Sequence, residues 1–403
     1  MKDFMLCLAA VPLMVAAETT NLNVTIANPL DVDRVDEPVV VSLAAVPYAV
    51  SRAVVTAGGK EVPCQLDDLD RDGRADELAF VLDVPASATM DVKVALSSEG
   101  KQAQYKPRTF ARMLVRGWHE VPVSIGDISV DGTIDSYTLL YGHGVMFESE
   151  LNGYRIYFDP KQTLDPYGKY HKRLELEQSQ FYPTDSMVAA GFGNDVLMVG
   201  ETCGIGALKG WNGETVTHVA PVARRWQRPI SSGPVRAIVE TGADGWEYAG
   251  TKLDMKQRFT QWAGHRDVDV EVEFSRPLPA AAEFAVGVQE IFGNESSHKR
   301  GPWGTVASWG RYWPMGDTLL YKKEWLGIAT YVPEKFAKAE GSDKGGHYYI
   351  LRAPAQTHLN YSTMFTSEHE GEWGYAGPEQ WFAVLEGWKR QKDAPLQVRI
   401  SEE

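Results

Sequence analysis

Between Tyr141 and Lys172 the chain reads YGHGVMFESE, then LNG, then YRIYFDPKQTLDPYGKYHK. This short run gathers His143, Glu148, Arg155, Tyr157, Asp159, Asp165, Tyr167, Lys169 and His171. The inventory suits removal of a proton beside a carboxylate, as at C5 of a uronic acid. Abstraction drives charge onto that carboxylate, so a cation must neutralise it. A Tyr, His or Lys with a lowered pKa takes the proton, and a second group protonates whatever leaves C4. A departing sugar makes the reaction that of a lyase; departing water makes it that of a dehydratase. In this scheme Arg155 holds the carboxylate with Lys169 or Arg266, His143 and Tyr167 serve as base and acid, and His265 is a further candidate. Glu148 and Tyr157 line the substrate. In YRIYF, alternation along a strand sets Arg155 and Tyr157 on one face and Tyr154, Ile156 and Phe158 on the other. The competing reading is packing: strand tyrosines usually fill half-buried positions, and strand arginines usually sit paired at the surface.

Other stretches offer related chemistry. AGHRD (Ala263–Asp267) places His265 beside Arg266, and VARRWQR (Val222–Arg228) places Arg225 near Trp226. Either suits an acidic sugar, and either suits a salt-bridged edge or turn. HKRGPWGTVASWGRYW (His298–Trp313) reads as a long rim loop in which Trp303, Trp309 and Trp313 are a sugar platform or core aromatics. A glycoside hydrolase would instead need two carboxylates flanking the bond, with Glu148 and Asp159 or Asp165 the obvious pair. A non-catalytic glycan-binding protein would use the Trp-rich loop alone. DLDRDGRAD spaces Asp68, Asp70, Asp72 and Asp76 around Gly73. That fits a structural calcium loop between strands or an acidic hairpin turn, and the chemistry itself calls for no cofactor. The sequence has no Gly-x-Ser-x-Gly elbow, phosphate-binding loop or zinc spacing.

These residues need elements to hold them. The 403 residues are enough for a large core, and the net charge of −14 argues against a nucleic-acid or anionic-membrane partner; the acidic oligosaccharide expected from the window's chemistry would need a local basic pocket. EPVVVSL, ELAFVLDV, MDVKVAL and PVRAIVE are β-branched runs, and DVDVEVEF (Asp267–Phe274) alternates acid and apolar strictly. Gly58-Gly59, Asp131-Gly132, Asn152-Gly153 and Asn212-Gly213 punctuate them as turns. The clearest helix opens at Gly377-Pro378 and aligns Trp381, Val384, Leu385 and Trp388. Residues 1–17 read as a signal peptide, so a periplasmic or secreted protein is expected. Cys64 and Cys203 then sit where a disulfide is permitted, although two buried free thiols serve equally well.

The blocks NPLDVDRVDEPV, QLDDLDRDGRADELAF, HG…E, YRIYFD, YGK, GFGNDVL, SSGPVRAIVE and AGHR, in this order, resemble the bacterial family known as domain of unknown function 4861. The resemblance runs from about Asn21 to the end. It implies an exported protein encoded among genes for breaking down pectin-like and other uronate-containing polysaccharides. The fold it implies is mostly β with few short helices: a large antiparallel β-supersandwich similar to galactose-mutarotase-like domains and several polysaccharide lyases. That makes 18–403 one domain, with room for a small N-terminal β subdomain over 20–105 and a weak boundary near Tyr105–Thr109.

Overall fold

The computed structural model describes residues 17–291, 297–300, 304–352 and 357–402, and among them the chain is mostly β. Alternation sets the strands. Val268–Phe274 buries every second side chain, and Glu77–Val84 and Thr89–Ser97 form where their β-branched runs expect them. Early in the chain a five-stranded and a three-stranded sheet face each other across Val24, Ile26, Val41, Val55, Phe80 and Val94. The chain's last strand, Gln397–Glu402, returns to pair with the first, Thr19–Ala27. Cys64 lies in this core and Cys203 in another cluster, so both remain free, buried thiols.

The rest of the described chain forms a larger sandwich. One wall is a nine-stranded sheet that includes Arg224–Ser231, Arg236–Tyr248, Thr251–Trp262 and Val268–Phe274. The other wall combines a six-stranded and a five-stranded sheet, bridged at Leu164–Gly204 and Ile205–Val288. Phe147, Tyr154, Ile156, Phe259, Val270, Phe284 and Tyr349 fill the space between the walls. The helix Pro378–Asp393 begins at the expected Pro and lays Trp381, Leu385 and Trp388 on the outer face of the nine-stranded sheet. The expected rim loop is corrected here. Thr305–Tyr312 is a strand of that sheet, and Trp309 is buried beneath the helix because a strand covered on both faces has no free side for a sugar. Trp303 lies outside the described residues.

Polar contacts join the two sandwiches. Arg108 clasps Asp36 and Glu150, and Arg236 reaches Asp67 at 2.7 Å and Glu77 at 2.6 Å. His265 is part of this seam. Its Nε2 donates to the carbonyl oxygen of Asp36 at 2.9 Å, and its Nδ1 lies 3.2 Å from Asp267. Burial opposes charge on the ring, but the hydrogen bond and charge of Asp267 prevail and push its pKa up to about 9. Both ring nitrogens are occupied, so His265 has no lone pair to act as a base.

Candidate functional site

The strand Leu140–Ser149 loses register between Tyr141 and Met146. The sequence signal is Gly-His-Gly. Gly142 and His143 both take left-handed backbone, at φ +76° and +61°, and a Cβ on Gly144 would fall 1.7 Å from the carbonyl oxygen of Ile156. The bulge lifts His143 out of the ladder, a strained conformation that the surrounding packing must hold. Its ring stacks on Tyr137 at 4.1 Å, and its Nδ1 lies 2.9 Å from the Tyr137 carbonyl oxygen. A carbonyl oxygen only accepts, so Nδ1 carries the hydrogen and Nε2 keeps its lone pair. Burial lowers the imidazole pKa, and the charges of Arg155 and Arg116 lower it further, so the ring is neutral at neutral pH.

Arg155 lies beneath this histidine. The alternation expected for YRIYF holds: Tyr154 and Ile156 enter the core, while Arg155 and Tyr157 share the opposite face. The guanidinium is 3% exposed. Its Nε donates to Asp165 at 2.7 Å, and its Nη1 donates to the Tyr182 hydroxyl at 2.7 Å and to the Gly142 carbonyl at 3.4 Å. Its Nη2 meets Asp165 at 2.6 Å, Asp195 at 3.1 Å and the Tyr157 hydroxyl at 3.0 Å. All five N–H groups are thereby spent, which corrects the expectation that Arg155 grips a substrate carboxylate directly.

The balance of charge around Arg155 is unequal. One cation faces two buried carboxylates, so burial raises both pKa values, and the charge of Asp165 raises that of Asp195 further. Asp165 Oδ1 is buried without a partner. Tyr157 accepts from Arg155 and donates to Asp165 at 2.9 Å, so its proton is committed. Tyr182 differs. Its hydroxyl accepts from Arg155, its own proton is committed to no described group, and the ring is 36% exposed. Burial raises its pKa, partly offset by Arg155, so it stays protonated. The Tyr182 and His143 rings stand at 83° to each other with centroids 6.3 Å apart.

The remaining expected residues are placed elsewhere or sealed. Lys169 is fully buried and ion-paired with Glu148, and it donates to the carbonyls of Ser149 at 2.7 Å and Arg173 at 2.8 Å. Glu148 also accepts from the backbone of Glu175 and Leu176. Tyr167 is buried and gives its hydrogen bond to the Gly193 carbonyl at 2.8 Å. Lys169, Glu148 and Tyr167 are therefore structural, because neither solvent nor substrate reaches them. Arg266 pairs with Glu370 at 2.7 Å and lies against Trp373 and Tyr375. Arg225 is buried and donates to the Val219 carbonyl, whereas its neighbour Trp226 points the other way, toward Asp244. The two therefore make no joint sugar site.

Three contributors escaped sequence reasoning. Tyr182 precedes Pro183 and follows Gln180 and Phe181, both at positive φ, a turn that sets its ring back over Arg155. Asp195 sits in GFGNDVL, whose glycines serve packing: a Cβ on Gly193 would lie 1.8 Å from the Gly168 carbonyl oxygen. Lys161 ion-pairs with Asp159 at 3.3 Å and lies 5.3 Å from the Tyr137 ring centroid and 5.6 Å from that of Tyr157. It also pairs with Glu201 at 3.3 Å, and, like the exposed Arg116, it is a solvent-reachable cation in the neighbourhood of His143.

In the acidic loop, carboxylate oxygens of Asp68, Asp70 and Asp76 converge within 4.8 Å. Asp72 is not in this group; its carboxylate accepts from the Arg74 backbone at 2.8 Å. Arg71 docks the loop on the larger sandwich through the carbonyls of Gly126 and Pro229.

Over residues 26–398 the chain matches the model of a family described as Domain of unknown function (DUF4861). No curated protein matches it significantly. A solved protein of glycosyl hydrolase family 38 from Enterococcus faecalis is similar with a TM-score of 0.50 at 10% identity, over 94% of this chain and 47% of that one. An alpha-mannosidase from Enterococcus faecalis gives a TM-score of 0.45 at 9% identity, over 94% of this chain and 46% of that one. The chain spans about half the length of these structures, and the first likeness is one of fold.

Proposed function

Because the chain belongs to the DUF4861 family, whose description assigns no activity, we propose its function from the site: β-elimination on a uronic-acid-containing oligosaccharide. The observation that carries this is the neighbouring pair of neutral His143, with an unspent Nε2 lone pair, and Tyr182, with an unspent hydroxyl proton. His143 Nε2 takes the C5 proton. The C5–H electrons form the C4–C5 double bond, and the C4–O bond breaks as Tyr182 protonates the leaving oxygen. Lys161 takes the carboxylate role first assigned to Arg155. Arg155 instead positions Tyr182 and the Asp165–Asp195 pair. The glycosyl hydrolase family 38 description of one fold neighbour supports a carbohydrate substrate; its acidic character is inferred from Lys161 and the chemistry of the pair. With the leader expected over residues 1–17, the proposed location is the periplasm or outside the cell. A structural calcium is assigned to Asp68, Asp70 and Asp76, hard oxygen donors of the kind that ion takes.

The test is incubation with uronic oligosaccharides, watching ultraviolet absorbance and product mass. A rise in absorbance, with cleavage or with loss of water, is expected, and it should vanish in His143→Gln. New reducing ends without absorbance would replace this reading with hydrolysis. Binding without product would leave a glycan-binding protein.

A further inference from the structure

Two half-exposed aromatic rings lie beyond the reacting centre, and each is backed by another ring. Tyr170 is 40% exposed and stacks on His369 at 4.3 Å and 17°. Trp325 is 37% exposed and lies 6.2 Å from Trp309 at 24°. Both are held by the turn Glu368–Trp373. Trp373 Nε1 donates to the Tyr170 carbonyl at 3.2 Å, and Glu368 accepts from the Trp325 backbone at 2.8 Å. His369 Nε2 lies 2.8 Å from Glu324, the neighbour of Trp325, while its buried Nδ1 has no partner. A single exposed aromatic is ordinary. Two rings locked flat against backing rings on one turn, with carboxylates at their margins, match a pyranose: C–H face on the ring, hydroxyls on the carboxylates.

The position fits an extended substrate. Tyr170 lies just past the strand Leu164–Gly168, which carries Asp165, and that strand ends against Ser367 at the start of the same turn. Five residues of chain span at most roughly 16 Å, so Tyr170 lies within a few sugar rings of Asp165. The charge of Glu324 also acts on Asp195.

We infer that Tyr170, Trp325 and the Glu324–His369 pair form an accessory subsite for pyranose residues beyond the one attacked. This rests on the reading that the substrate is an acidic oligosaccharide. It makes the protein favour longer chains, with the gain in binding rather than in the chemical step.

The experiment measures calorimetric binding of hexagalacturonate and digalacturonate in a His143→Gln background, which stops turnover. Adding Tyr170→Ala or Trp325→Ala is expected to weaken hexamer binding about tenfold each and to leave dimer binding unchanged. Tyr170→Phe should retain hexamer binding, and unfolding midpoints check that each variant is folded. Unchanged hexamer affinity, or equal loss for both probes, overturns the subsite alone. If the His143→Gln protein binds neither probe, the acidic-oligosaccharide reading falls and the subsite with it.

Discussion

Two charged clusters arise from the same stretch of chain and differ in what they leave unspent. Around Lys169, one ammonium meets Glu148 and two carbonyls, and Glu148 takes two backbone N–H groups in return. Charge and hydrogen bonds both balance, and the cluster is sealed. Around Arg155, one guanidinium meets two carboxylates, and its edge carries His143 with a free lone pair and Tyr182 with a free proton. Residue types alone do not separate these clusters. Chemistry survives where bonding capacity exceeds what the fold consumes, and where solvent reaches the excess.

The contrast can be broken by exchanging outcomes. The largest effect is expected at His143: the Gln variant should lose about 10²–10⁴-fold in turnover, typical of removing a general base, with little change in unfolding midpoint. If turnover survives, the open cluster is not the reacting one. Lys169→Met should show the reverse, costing about 3–5 kcal/mol in denaturant unfolding because Glu148 is left buried and unpaired. Activity measured well below the unfolding transition should persist.

Two smaller effects sharpen the boundary between site and scaffold. His143 has a lowered pKa, so the neutral base should persist as pH falls, and the acid limb of kcat/KM should lie below the ordinary imidazole range of about 6.5. An acid limb above that range would contradict the site's electrostatics. His265 is raised to about 9, so its bond to Asp267 stabilises fully below the unfolded value and is lost as pH rises through 9. Unfolding free energy should fall by about 3 kcal/mol between about pH 6.5 and 9.5, and His265→Asn should flatten that slope. Smallest of all, calcium in excess over its dissociation constant should raise stability by about 1–3 kcal/mol, and Asp70→Ala should abolish the gain. A chelator that leaves the unfolding midpoint unmoved would assign the acidic loop to turn geometry alone.

Much of the architecture could be read from local pattern. Alternation placed Val268–Phe274 with one buried face, Gly377-Pro378 opened the helix, and YRIYF set Arg155 and Tyr157 on a shared face. Such features depend on neighbours two to four residues apart. Which acids would surround Arg155 was not local: Asp165 arrives across a strand pair and Asp195 from a short strand well downstream. Likewise, nothing near Lys169 in the sequence announces that Glu148 will neutralise it.

The sequence by itself determined a β-rich chain, its strand faces, its late helix and the window in which titratable groups gather. Tertiary structure alone decided which of those groups were consumed by partners and which kept a proton or a lone pair. The physical reason is that strand period and turn chemistry are short-range, whereas burial and hydrogen-bond saturation depend on what the fold brings in from far along the chain.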